Sequence, residues 1–173
     1  MTGGVDSRQR VAAYVIRRLG RRSELLVFDQ VGIPEAGIQV PAGGIRPGES
    51  AEGAVVREVT EETGLAGAAI RARLHTEDKP HPVTGQPRTT QFFVLDAPAH
   101  CPDAWSHTVS GNDSDAGLTF DCRFAALPLQ VPLADDQDAW LGLVDPTFAT
   151  VRPRPVAKDE REQALGYDPI SGV

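Results

Sequence analysis

GGIRPGESAEGAVVREVTEETGL, residues 43–65, holds five glutamates against two arginines, with a glycine pair at its start and a glycine near its end. Ser50 is a good N-cap, and Gly64 falls where a left-handed residue closes a helix. The spacing therefore predicts a helix over 51–63. At about 100° per residue, Glu58, Glu61 and Glu62 share one arc, being spaced i, i+3 and i+4. Val55, Val56 and Val59 occupy the adjacent arc and are expected to face the core. Pro47, Ala51 and Ala54 continue the acidic edge, so no basic residue along it offsets the charge.

A solvated helix face usually mixes signs, and this one does not. Hard oxygen ligands gathered on one edge suit Mg²⁺ or Mn²⁺, which prefer carboxylates together with water and phosphate oxygens. Arg57 lies beside the edge, within reach of the loop that bears Glu49. A charge-assisted bond between the two would fix that loop against the helix. Gly43 and Gly44 allow the main chain to approach a ligand closely and to offer it a carbonyl oxygen.

The rest of the chain sets the frame for this segment. A length of 173 residues is enough for one domain with a real core. With 40% hydrophobic and 24% charged residues, the chain reads as folded rather than disordered. A net charge of −7 argues against a general affinity for DNA, RNA or anionic membrane. Cys101 and Cys122 make neither a disulfide framework nor a metal-ligand spacing. The N-terminus has no secretory character and no apolar run approaches about 18 residues, so the expected location is cytoplasmic.

RVAAYVIR (10–17) and ELLVFD (24–29) read as two strands joined by a basic turn, RRLGRRS (17–23). PAGG (41–44) reads as a loop that ends a short extended piece. AIRARLH (69–75), TTQFFVLD (89–96) and GLTFDCRFAAL (117–127) read as further strands, and 135–144 as a second helix with acidic residues in its first turn. The order predicts an α+β fold with a mixed sheet and helices on its faces. Residues 1–9 are expected to be a flexible lead, 10–144 the domain, and 145–173 a tail that packs on the domain or on a partner.

The acidic stretch also resembles, position for position, the Nudix box: Gly, five residues, Glu, seven residues, then Arg-Glu-aliphatic-any-Glu-Glu-any-Gly-aliphatic. Here these are Gly43, Glu49, Arg57, Glu58, Val59, Glu61, Glu62, Gly64 and Leu65. The resemblance implies an α/β/α sandwich and a pyrophosphohydrolase that uses Mg²⁺, with Mn²⁺ as a substitute. Its substrate would be a nucleoside diphosphate linked to another moiety: a nucleoside triphosphate, ADP-ribose or a nucleotide sugar. Carried over by position, Glu58, Glu62 and Glu61 would be metal ligands, completed by the carbonyl of Gly43 or its neighbour. Arg57 and Glu49 would orient the catalytic loop and helix, and Glu58 or Glu61 would take the proton of the attacking water. VPAGG and Pro80, 15 residues beyond Leu65, resemble features of the branch that cleaves ADP-ribose.

Outside the box, Arg88 and Trp105 are the candidates for substrate binding. Asp103, Asp113 and Asp115 fall in the long segment 97–118 and read as solvated loop acids. Phe92, Phe93 and Phe120 read as core, and the four histidines receive no role. Two alternatives stand beside the hydrolase: a nucleotide-sensing module without turnover, and an enzyme acting on a non-nucleotide diphosphate. An intact box and an acidic chain favour the hydrolase, with no DNA and no membrane as partner. A homodimer is an open expectation, since the proline-rich tail could cross to a second copy.

Overall fold

A computed structural model describes residues 7–152. Seven strands form one mixed sheet: β1 (Arg8–Leu19), β2 (Arg22–Gln30), β3 (Ala42–Gly44), β4 (Ala69–Asp78), β5 (Arg88–Asp96), β6 (Ala104–Thr108) and β7 (Thr119–Ala126). Their order is β4-β5-β1-β2-β7-β6, with β3 also on β1. β1 and β5 run parallel, and the remaining pairs are antiparallel. The expected α+β arrangement built on a mixed sheet is what the structure has, with few helices.

The uninterrupted apolar run of β1 follows from its central position, because a strand covered on both faces has no wet side. Val11, Ala13 and Val15 point to one core, with Leu26, Phe28, Phe93 and Phe120. Ala12, Tyr14 and Ile16 point to the other, with Leu25, Val27, Phe92 and Leu141. Helix α1 (Ala51–Thr63) covers the first face through Val55 and Val59. The second face is covered by the irregular segment that carries Leu133, Leu141 and Phe148.

The helix begins and ends as the sequence predicts. The Ser50 side chain accepts the Gly53 N–H at 3.0 Å, and Gly64 takes φ 70°. Val56 departs from expectation: it is exposed, because the stripe against the sheet is narrower than three valines. PAGG departs too. β1 and β2 pair through Ile16–Leu19 and then diverge, leaving the other half of the β1 edge open. Ala42–Gly44 fill it as β3, opposite Arg10–Ala12.

The segment 97–118 is not one long loop, since it contains β6, paired with β7. The helix expected over 135–144 is reduced to a 3-10 turn at Ala134–Asp136 and a single turn of helix, α2 (Leu141–Val144). Asp135 and Asp136 take φ near 53° and 54°, a left-handed conformation that a helix cannot contain. Salt bridges from Arg88 and Lys79 tie Asp135 there. Beyond α2, Phe148 is buried and the Val151 N–H reaches the Leu129 carbonyl. Most of the expected lead and tail, residues 1–6 and 153–173, lie outside the described residues. Among the described residues, no helix is long and apolar enough to cross a membrane.

Candidate active site

The acidic edge of α1 forms one wall of a cleft of about 230 Å³, lined also by Gly43, Gly44, Arg8, Arg10, Arg88 and the loop carrying Ser110–Asp115. Because Val55 and Val59 anchor the neighbouring stripe, the three glutamates cannot rotate away into solvent. Glu58 and Glu62 are buried, at 3% and 5% exposure. Desolvation pushes the Glu58 carboxyl above the ordinary range, against the pull of Arg57. Glu62 is pushed well above it by burial first and by the Glu58 charge second. Its carboxylate accepts the Ala42 N–H at 3.0 Å.

Arg57 takes the position expected of it. Its Nε and Nη2 donate to the two oxygens of Glu49 at 2.7 and 2.9 Å, a bidentate pair. Nη2 also donates to the Gly44 carbonyl at 2.8 Å, so one guanidinium joins the loop, β3 and the helix. That partner holds the Glu49 carboxyl down at about 2. Glu49 caps its own loop as well, accepting the Arg46 N–H at 3.0 Å.

The edge is less isolated than the sequence implied. Arg57 Nη1 donates to Glu58 at 2.7 Å and to Glu61 at 3.1 Å. Arg46 reaches Glu61 at 3.2 Å and Asp113 at 3.4 Å. Arg46 had no signal in the sequence, as its contact spans 15 residues through a turn. Asp113, read as a solvated loop acid, is brought to the edge by the loop after β6. The Ser110 N–H donates to the Glu61 carbonyl at 3.0 Å and pins that loop to the helix.

One ligand oxygen each from Glu58, Glu61 and Asp113 lies within 4.8 Å of the others. Such a group of hard oxygens suits a divalent cation of the Mg²⁺ class. A cation also answers an electrostatic difficulty: a buried, partly paired carboxylate such as Glu58 is costly to keep ionised alone. Gly43 supplies the space. A Cβ built on it would overlap the Glu58 carboxylate, so the main chain can approach that group only as glycine.

Of the two candidates outside the box, Arg88 lines the cleft but is committed to Asp135 and to the Lys79 carbonyl, the latter at 3.1 Å. Trp105 does not line it. Its indole N–H donates to the Thr63 carbonyl at 2.6 Å and its ring packs near Phe124. Two histidines have local partners. His107 closes under Gly64 with Nε2 3.1 Å from the Glu61 carbonyl, and His81 accepts the N–H groups of Val83 and Thr84.

The fold is shared with solved structures. The NUDIX domain of Shewanella oneidensis NrtR complexed with ADP ribose is 19% identical, with a TM-score of 0.60 over 80% of this chain and 86% of that one. A MutT NUDIX hydrolase from Burkholderia pseudomallei is 24% identical, with a TM-score of 0.55 over 80% and 98%. A UDP-X diphosphatase is 16% identical, with a TM-score of 0.58 over 83% and 63%. No curated protein matches. Identities this low speak to the fold alone. The family rests on the sequence, where the NUDIX domain pattern matches residues 8–130 with the whole acidic edge inside the match, and the chain belongs to the NUDIX domain family.

Proposed function

We propose that this protein, a pyrophosphohydrolase of the NUDIX family, uses Mg²⁺, or Mn²⁺ in its place, to cleave the diphosphate linkage of a nucleoside diphosphate joined to another group. The observation that carries this reading is the convergence of Glu58, Glu61 and Asp113 within 4.8 Å at one wall of a cleft. Glu62 and the Gly43 carbonyl belong to the same wall and would complete the ligand set. A divalent ion there supplies charge neutralisation for the diphosphate and acidifies water.

The remaining work falls to the chain. Arg57, gripping Glu49, Gly44 and two of the edge carboxylates at once, holds loop, strand and helix in one geometry. Burial makes both Glu58 and Glu62 more basic, and since Glu62 already accepts the Ala42 N–H, it is Glu58 that would accept the proton of the attacking water. One P–O bond forms to that water while the bridging P–O bond breaks, and the second phosphate leaves with the electron pair. The cleft is small and polar, as a site for a diphosphate should be. ADP ribose in the related NrtR structure and the UDP-X diphosphatase fit the same substrate class.

The test is a hydrolysis panel of nucleoside triphosphates, ADP-ribose, nucleotide sugars, dinucleoside polyphosphates and capped RNA, with products resolved by chromatography. At least one member should yield a mononucleotide or phosphate when Mg²⁺ or Mn²⁺ is present and none when it is chelated. No turnover across the panel, or turnover indifferent to chelator, would overturn the assignment.

A further inference from the structure

Across the cleft from the glutamates, two arginines make no ion pair among the described residues, although the charges of Glu62 and Asp135 act on Arg10 from further off. Arg8 and Arg10 lie two apart on β1, so their side chains leave the same face. Arg8 is also the register partner of Arg88 on β5. Three guanidiniums therefore meet at one end of the sheet. Burial first, and then the charges of Arg88 and Arg8, depress the proton affinity of Arg10.

The nearby carboxylates are engaged elsewhere. Asp135 holds Arg88 and Lys79, and Glu62 accepts the Ala42 N–H. Among the described residues, neither Arg8 nor Arg10 makes an ion pair or a side-chain hydrogen bond. Guanidiniums crowded beside one another, one of them largely buried, repel unless an anion joins them.

Strand β3 separates this pair from the acidic edge. The side-chain position of Gly43 abuts Glu58, whereas that of Gly44 faces the Arg8 guanidinium, 3.5 Å from Nη2. Neighbours on an extended strand point to opposite faces, so Arg8 enters the cleft from the far side of β3. Past the arginines the cleft continues into a recess of about 330 Å³, which shares Arg8, Arg10, His81 and Arg88 and ends at Thr84, Gln86 and Pro87.

We propose that Arg8 and Arg10 form an anion subsite for a second charged group of the substrate, a phosphoryl or a carboxylate, distinct from the diphosphate bridge at the glutamates. The preferred substrates are then diphosphate derivatives that carry a further anion, ahead of those ending in a neutral sugar. The kinetic consequence rests on the hydrolase reading, but anion binding itself does not.

Two measurements separate these. In chelator, inorganic pyrophosphate is titrated calorimetrically into the full chain, into the Arg8→Ala/Arg10→Ala double variant, and into Arg21→Ala/Arg22→Ala. The last pair removes the same charge at the opposite end of β1. Wild type and the Arg21/Arg22 control should bind, and the Arg8/Arg10 variant should lose about 10–100-fold in affinity, the worth of charge-assisted hydrogen bonds. With Mg²⁺, kcat/KM is compared on a nucleoside diphosphate hexose, the matching uronate and a nucleoside triphosphate. The variant should lose a similar factor on the charged substrates and nothing on the hexose. Loss on the triphosphate alone assigns a phosphoryl, and loss on the uronate alone a carboxylate.

Unchanged pyrophosphate affinity, or an equal loss on the hexose, overturns the subsite. If no substrate is turned over, the hydrolase reading fails and the titration still decides the subsite. Should the double variant fold poorly, Arg8→Gln on the exposed member of the pair must still weaken pyrophosphate binding.

Discussion

The carboxylate of Glu58 occupies the space that a side chain on Gly43 would need. The two residues lie 15 positions apart, one on β3 and one on α1, and a side chain cannot be added at Gly43 without moving Glu58. Gly43→Ala should therefore displace Glu58 while leaving the fold standing. A misplacement of about 1 Å in a catalytic group costs on the order of 10²-fold in rate. We expect kcat to fall by about that factor at saturating Mg²⁺, with the circular dichroism spectrum unchanged. Wild-type turnover in Gly43→Ala would mean that Glu58 has no part in the chemistry.

Glu62 sets stability against function. Its carboxyl is buried and its proton affinity is raised well above the usual range. A group raised in the fold stabilises it below the ordinary carboxylate range and loses that contribution as pH rises through the raised value. Metal-free Glu62→Gln, which has no charge to bury and keeps an acceptor for the Ala42 N–H, should thus melt higher than wild type at neutral pH. The advantage should vanish in acid. Added Mg²⁺ should raise the wild-type melting temperature, as a ligand of the folded state must, and raise that of the variant much less. Turnover should fall by orders of magnitude. Equal Mg²⁺ shifts in both proteins would remove Glu62 from the ligand set.

Glu49 has the opposite sign. Arg57 holds its carboxyl at about 2, below the ordinary 4.5, so the pair stabilises the fold above 4.5 and that contribution disappears as pH falls toward 2. Glu49→Gln should be less stable than wild type at neutral pH, and the gap should close between 4.5 and 2. Urea midpoints measured across that window check it. A gap that stays constant with pH would show that the bidentate pair contributes nothing to stability.

What the sequence made legible was whatever depends on short-range spacing. The cap at Ser50, the left-handed Gly64 and the shared edge of Glu58, Glu61 and Glu62 are all set within one helix, and all are present. Arg57–Glu49 was legible because eight residues of loop and helix bring the two together. The misses are contacts made by the sheet. β3 forms because β2 diverges from β1, which no local pattern in PAGG records. The helix expected over 135–144 gave way to left-handed Asp135 and Asp136, held by Lys79 and Arg88 more than 45 residues earlier. Trp105 looked free for substrate and instead closes the C-terminal end of α1. Arg8 fell in the expected lead and Arg10 at the start of the first strand, and the two gain meaning only once Arg88 lies beside them.

Asp113 is the sharpest case of a residue that spacing hides and the fold supplies. It reaches the edge through a loop pinned by Ser110 to the end of α1, and it shares Arg46 with Glu61. If it contributes an oxygen to the ion, Asp113→Asn should leave the box intact but weaken the site. We expect the Mg²⁺ concentration for half-maximal activity to rise about 10-fold, within the range found when groups that support a metal are removed. KM for the substrate at saturating Mg²⁺ should move little, which separates loss of a metal ligand from loss of a substrate contact. An unchanged Mg²⁺ requirement, paired with a raised KM, would make Asp113 a substrate-facing residue and leave the ion to the glutamates of α1.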